Sequence, residues 1–416
     1  MNISFPVYTR LNEVLFKKKT LPSALLEAKK TITLTPNEEE EIKKETVVFL
    51  RRYFSLRFEC SNLLSQYDYE SGEFLLSRIA LCQLRYSKLT KEEITSEYRN
   101  TFARLRFSGS SKTNRDVLME ASKKPFSIPE EAKQSPFYFN SLVLERPEFL
   151  FRRFNEEYGS SKTLSRFRSM RKKPTFEYSP LDADSLTDSL EKTDGAGAYE
   201  IYKSEKNYHR DSLKQRRIYP SSYLERLGYS LLELPQVSPK VLRNGLTDSF
   251  GYFPLALSLK DSYQPKLIVD YQSKAAEAAK DNLNLAQFND VTILNCEEKY
   301  LKTYYSYDQF DIVVDFGKDT GLGLLDKKPW LLPSLTREDI ENSQKRQLDS
   351  LRERSEFVKS KGSLLFINHG LLKAETSDVV HRFLERNNRF ELVKEISVCP
   401  SDDHGEGGYI ALIGKK

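Results

Sequence analysis

Phe310-Asp311-Ile312-Val313-Val314-Asp315 reads as a buried strand closing on an acid, and Thr320-Gly321-Leu322-Gly323 follows it as a glycine-bearing loop. Its apolar residues run without alternation, as they do in a parallel strand covered on both faces. Downstream, Thr336-Arg337-Glu338-Asp339-Ile340 starts a helix, with Gln347 about two turns on. Leu364-Leu365-Phe366-Ile367-Asn368-His369-Gly370 repeats the strand pattern. It leads through Leu371-Leu372-Lys373-Ala374-Glu375 into a helix holding Val379 and Val380, and Gly407-Gly408-Tyr409-Ile410-Ala411-Leu412-Ile413 closes the chain. Upstream, Leu267-Ile268-Val269-Asp270 and Val291-Thr292-Ile293-Leu294 are two further apolar runs. Helical patterns over residues 274–285 and 340–361 separate them. Strands alternating with helices predict a doubly wound α/β sheet.

Working outward, three regions are expected: 1–134, 135–218 and 219–416. The first reads as helical. Leu11, Val14 and Leu15 share a face, Asn37 before four glutamates suggests an N-cap with an acidic first turn, and Leu75, Leu76, Ile79, Leu81 and Leu84 form another apolar face. The second holds a helix stopped at Gly159, then a basic stretch, then an Asp/Ser/Thr-rich surface loop over residues 181–197. The third is the α/β region.

Composition narrows the class. A chain of 416 residues with 39% hydrophobic and 12% aromatic content can bury real cores, and 30% charged residues point to a soluble protein. No apolar run is long enough to span a bilayer, and the N-terminal Met1-Asn2-Ile3-Ser4-Phe5-Pro6 has no signal-peptide pattern. Cys60, Cys82, Cys296 and Cys399 are scattered, with no metal-type CxxC pair, so no metal site is expected and a reducing cytoplasm fits. A net charge of +5 permits nucleic-acid binding without demanding it.

The order of the α/β motifs resembles the RsmB (Sun) family of bacterial rRNA cytosine-5 methyltransferases. The family pattern is strand-Asp-Ala-Pro-Cys-Ser-Gly-x-Gly, then Thr-x-x-Asp-Ile with a later Gln, then Ser-Thr-Cys-Ser-x-x-x-x-Glu-Asn, then Gly-Phe-Phe-x-Ala. Here the Pro-Cys segment reads Gly317-Lys318-Asp319 and the Thr-Cys segment reads Asn368-His369. The resemblance extends to the helical start, where Val48-Phe49-Leu50-Arg51-Arg52 is similar to a helix of the family's NusB-like domain. It also covers Glu145-Arg146-Pro147-Glu148-Phe149-Leu150, which is similar to the family's His-Pro-x-Trp-Leu helix. It implies a class I, Rossmann-like S-adenosyl-L-methionine (SAM) methyltransferase domain preceded by an all-α NusB-like domain, acting on RNA, with rRNA the expected partner.

Cytosine-5 chemistry needs a thiolate to add to C6 of the base, because a thiolate is both nucleophile and leaving group. The resemblance puts the two thiols where this chain has Lys318 or Asp319 and His369. It implies a cofactor site of Gly245 and Gly251 in the turn after the first strand, Asp270 on the ribose, and Asn295 at the adenine, with Asp315 beside the base. The turn itself, Arg243-Asn244-Gly245-Leu246-Thr247-Asp248-Ser249-Phe250-Gly251-Tyr252, carries bulky residues where a ligand must come close, which argues against SAM binding. Asp315 also reads as a loop cap, and His369 as a polar strand end with a satisfied hydrogen bond.

Between Phe151 and Pro180 there are eight Lys/Arg against three acids, interleaved with Phe151, Phe154, Phe167 and Phe176. Arg152, Arg153, Arg166, Arg168, Arg171, Lys172, Lys173, Arg216 and Arg217 are the candidate RNA contacts, with a solvated charged face over core aromatics as the alternative. The expected function is an RsmB-like homologue, monomeric and cytoplasmic, that has lost cytosine-5 activity and binds RNA or a ribosomal particle. Two alternatives are a SAM-dependent RNA methyltransferase using non-cysteine chemistry, carried by Asp315, His369 and Asp270, and a protein-interaction scaffold.

Overall fold

A computed structural model describes residues 3–29, 32–170, 176–180, 191–193, 201–204, 218–220, 222–232, 243–247, 263–270, 276–277, 280–281, 283–284, 291–296, 300–400 and 405–416. It divides into two units: Met1–Phe167 with Lys328–Leu335, and Arg168–Lys327 with Thr336–Lys416. Among the described residues, no helix is long and apolar enough to cross a membrane.

The first unit is all-helical. Its helices are α1 (Ser4–Leu15), α2 (Leu21–Lys29), α3 (Pro36–Arg51), α4 (Tyr53–Leu63), α5 (Gly72–Tyr86), α6 (Lys91–Arg104), α7 (Ser111–Ser122), α8 (Glu130–Lys133), α9 (Pro136–Leu144), α10 (Glu148–Tyr158) and α11 (Ser160–Ser169). Side chains such as Leu11, Leu50, Leu56, Leu75 and Ile79 bury one face of the helices from α1 to α7 in a shared core. The cap of α3 is Thr35, not the expected Asn37. Thr35 and Glu38 bond each other's backbone N–H, and Pro36 fills the first helical position, where a missing N–H costs nothing. Glu97 of α6 accepts from the N–H groups of Ile3 and Ser4 at 3.0 and 2.8 Å, capping α1. The 3-10 turn Pro329–Ser334, far along the chain, packs its Trp330 against this core.

The second unit opens with a four-stranded antiparallel sheet of β1 (Phe176–Pro180), β2 (Glu191–Thr193), β3 (Ile201–Ser204) and β4 (Ile218–Pro220), in the order β2-β3-β1-β4. A strand therefore lies inside the stretch 181–197 expected to be loop. Then come α12 (Tyr223–Leu232), β5 (Arg243–Thr247), β6 (Tyr263–Asp270), β7 (Thr292–Asn295), α13 (Leu301–Tyr304), β8 (Phe310–Phe316), α14 (Arg337–Ser355), β9 (Val358–Asn368), α15 (Ser377–Glu385), β10 (Phe390–Val398) and β11 (Gly408–Lys415). The seven later strands form one sheet, ordered β10-β11-β9-β8-β5-β6-β7. From β9 to β7 every neighbour is parallel, and β11 joins β9 antiparallel. Val313, Leu364 and Phe366 pack into the α14–α15 layer, while Ile312, Val314, Leu365 and Ile367 pack into the α12 layer. This is the doubly wound, Rossmann-like domain that the apolar runs predict. The helix expected over 340–361 ends at Ser355, because Val358 to Lys361 already belong to β9.

Candidate functional site

The carboxyl ends of β8 and β9 carry a buried polar network. The N–H of Gly317 donates to the carbonyl of Ile367 at 2.8 Å, so the loop leaving β8 stays paired to β9. Both oxygens of Asp319 are taken: Oδ1 accepts from the N–H of Gly321, and Oδ2 accepts from the N–H of His369 at 2.6 Å. Glu375 is fully buried and accepts from Thr320 twice, from its N–H and its hydroxyl, each at 2.9 Å. Burial, with Asp319 nearby, pushes Glu375 up to about 7 against the pull of its hydrogen bonds from Thr320 and Ser343. Helix α14 closes the network. Gln347 bonds Ser343 at 2.9 Å, Asn368 Nδ2 donates to Gln347 Oε1 at 2.8 Å, and Ser343 donates to the carbonyl of Lys318 at 3.2 Å.

Glycines lace three loops together beside this network. Gly323 N–H donates to the carbonyl of His369 at 2.7 Å, and Gly407 N–H donates to the carbonyl of Gly323 at 2.9 Å. A Cβ on Gly323 would lie 1.9 Å from the carbonyl oxygen of Gly407, so only glycine allows that approach. Next to it, Glu406 accepts from the hydroxyl of Ser222 at 2.6 Å and the N–H of Leu224 at 3.1 Å, and pairs with Lys327 at 3.3 Å. Burial alone would raise Glu406; Lys327, His369, Ser222 and the Leu224 N–H together hold it down at about 2.

Asp315 is buried. It is 1% exposed, accepts from Ser350 at 3.0 Å, and lies 3.6 Å from the Arg354 guanidinium, itself 1% exposed. It is one half of a buried ion pair between β8 and α14. On the cofactor side, Asp270 and Asn295 are register partners at the ends of β6 and β7. Gly245 lies inside β5, paired with Pro265 and Ile312, rather than in the turn after it, because the strand continues to Thr247. Gly251 lies outside the described residues.

Residues 258–411 match the family model described as 16S rRNA methyltransferase RsmB/F. The chain carries an RsmB/F-type methyltransferase domain. Its fold is similar to that of PH0851, at 15% identity and a TM-score of 0.78 over 99% of both chains. A methyltransferase homolog protein from Pyrococcus horikoshii matches with 13% identity and a TM-score of 0.54, over 68% of this chain and 99% of that one. NSun6 from Pyrococcus horikoshii, solved with SFG, matches with 11% identity and a TM-score of 0.52, over 65% and 98%. At these identities the likeness is one of fold. No curated protein matches the chain.

Within the RsmB/F-type domain, none of the four cysteines occupies the network at the strand ends. Cys60 and Cys82 are buried in the helical unit, where burial pushes Cys60 up to about 12. Cys296 follows β7 and Cys399 follows β10, both half-buried, with Pro400 packed against Gly407. Residues absent from the sequence-based site carry most of the network: Ser343, Gln347, Asn368, Glu375 and Glu406. Glu375 had a signal, since it stands at the Glu of the family's Ser-Thr-Cys-Ser-x-x-x-x-Glu-Asn pattern.

The basic residues have local partners. Arg152 pairs with Glu148 and lies 4.5 Å over the Phe137 ring, Arg153 pairs with Glu156 and Glu157, and Arg166 lies 3.6 Å over the Tyr158 ring. Arg168 is exposed near the end of α11. Phe151, Phe154 and Phe167 are core residues, 0–3% exposed, so they offer no stacking face to a base. Arg171, Lys172, Lys173, Arg216 and Arg217 lie outside the described residues.

Proposed function

We propose that the protein is an RsmB/F relative that binds RNA, with rRNA the expected target, and does not transfer a methyl group to cytosine C5. One observation carries the reading. At the two positions where the family resemblance places reactive thiols stand Lys318 or Asp319, and His369, none of them a thiol, and Asp319 has both oxygens committed to backbone N–H groups. A carboxylate so held cannot add to a pyrimidine double bond and then leave, as a thiolate does. The helical unit, read as NusB-like, and the basic surface supply the binding half of the proposal, in a monomeric cytoplasmic protein.

A second reading has one observation in its favour. Asp270 and Asn295 sit side by side at adjacent strand ends, where they would hold the ribose hydroxyls and the adenine of SAM. Bound SAM would supply an electrophilic methyl group. His369, beside the buried Glu406, would then receive a proton from a nitrogen nucleophile, and no thiol would be required.

Two measurements separate the readings. Titration calorimetry with SAM, taken to millimolar ligand, should give no heat under the first reading and micromolar binding under the second. Incubation of the protein with SAM and total RNA should leave the RNA unlabelled, while the protein binds that RNA with an affinity that falls as salt rises. Label on cytosine C5 overturns the first reading. Label on nitrogen that disappears in Asp270→Ala establishes the second. RNA affinity absent at low salt removes the binding half.

A further inference from the structure

The stretch of chain between β7 and β8 presents three tyrosines to solvent. Tyr300, Tyr304 and Tyr307 are 51%, 60% and 54% exposed, although Leu301 and Tyr305 between them turn inward onto the core. Tyr300 and Tyr304 stand one helical turn apart about α13, and Tyr307 rests edge-on against Phe357 with ring centres 5.6 Å apart, tying this loop to the start of β9.

Among the described residues, the acids Asp308, Asp311 and Glu356 near these loops pair with Lys415, Lys359 and Arg389. Lys302, Lys361 and Lys416 are exposed and make no ion pair among the described residues. Ser360 of β9 and Lys416 meet here, since Ser360 donates to the carbonyl of Lys416 at 3.4 Å and the N–H of Lys416 donates to the carbonyl of Arg389 at 2.9 Å.

Exposed rings cost hydrophobic burial, and their cost is recovered when something flat covers them. Nucleobases stack on aromatic faces while a cationic rim follows the phosphates, and the two features together fit a single strand better than a duplex, whose bases are already stacked. We propose that Tyr300, Tyr304 and Tyr307, with Lys302 and Lys361, form a stacking platform for single-stranded RNA. This rests on the RNA-binding half of the proposed function and gives it a place distinct from the strand-end network and from α10 and α11.

The test is fluorescence anisotropy of the full chain with a short labelled single-stranded RNA of mixed sequence, across a salt series. Tyr300→Ala/Tyr304→Ala/Tyr307→Ala should weaken binding roughly tenfold or more. Lys302→Gln/Lys361→Gln should flatten the salt dependence by about two phosphate contacts. Because Tyr307 supports Phe357, the pair Tyr300→Ala/Tyr304→Ala serves if the triple variant melts early, and it too should lose several-fold. Wild-type binding left unchanged by both tyrosine variants overturns the platform and leaves RNA binding intact elsewhere, as would a platform used for protein docking. A wild type that binds no RNA at low salt overturns both proposals.

Discussion

Glu375 is a carboxyl group held inside the protein by one neighbour's N–H and hydroxyl, with a second carboxylate, Asp319, close by. Burial raises its proton affinity to about 7, above the 4.5 it has in the open chain, so near pH 6 the folded protein holds a proton that the unfolded chain gives up. The stabilisation is therefore complete below the unfolded value and is lost as pH rises through 7. Glu406 runs the other way. Held at about 2, it stabilises above the unfolded value and fails only as pH falls towards 2. Urea titrations of wild type and Glu375→Gln at a series of pH values should show the wild type losing on the order of 3 kcal/mol between pH 5 and 8. The variant, with nothing to titrate at that position, should lose much less. Parallel curves would mean that Glu375 is charged throughout that range, with Thr320 outweighing burial.

At the scale of the element, α14 holds Ser343, Gln347, Ser350 and Arg354 against the ends of β8 and β9, so its start fixes the register of the site. Thr336 and Asp339 bond each other's backbone N–H there, at 3.2 and 2.8 Å. Thr336→Ala should cost about 1 kcal/mol of stability, read from the urea midpoint, while Thr336→Ser should cost almost nothing. This cap was legible, because Thr-x-x-Asp before an apolar residue is a local signal. The same signal at Thr35-x-x-Glu38 marks α3, and the row of glutamates drew attention to Asn37 instead. The parallel strands were legible from unbroken apolar runs. The partner of a buried carboxylate was not. Thr320 lies 55 residues from Glu375, and nothing local in either stretch specifies that meeting. Asp315 shows the same limit. A strand-end acid looks alike whether it faces a ligand or, as here, an arginine two helical turns beyond Gln347.

The whole molecule is not two successive segments of chain. Residues 328–335 leave the α/β unit and complete the helical one, where their 3-10 turn packs on α1 and α3. Periodicity could not announce this, since the strap is too short to show a period, and its apolar Trp330-Leu331-Leu332 reads equally well as any buried turn. The arrangement makes the helical unit dependent on residues encoded well beyond it. Trp330 is the chain's single tryptophan, so its emission reports on the strap alone. Leu332 beside it is 4% exposed. Leu332→Ala should destabilise the helical unit by about 2–4 kcal/mol, from lost burial and the cavity left behind. In a denaturant titration, Trp330 emission should then shift red at a lower concentration than in wild type, in step with the loss of helical circular dichroism. The β-sheet lies outside that unit, so its amides should keep their hydrogen-exchange protection past the same midpoint. If Trp330 reddens while the helical signal holds, the strap is a passenger on the helical core and not one of its parts.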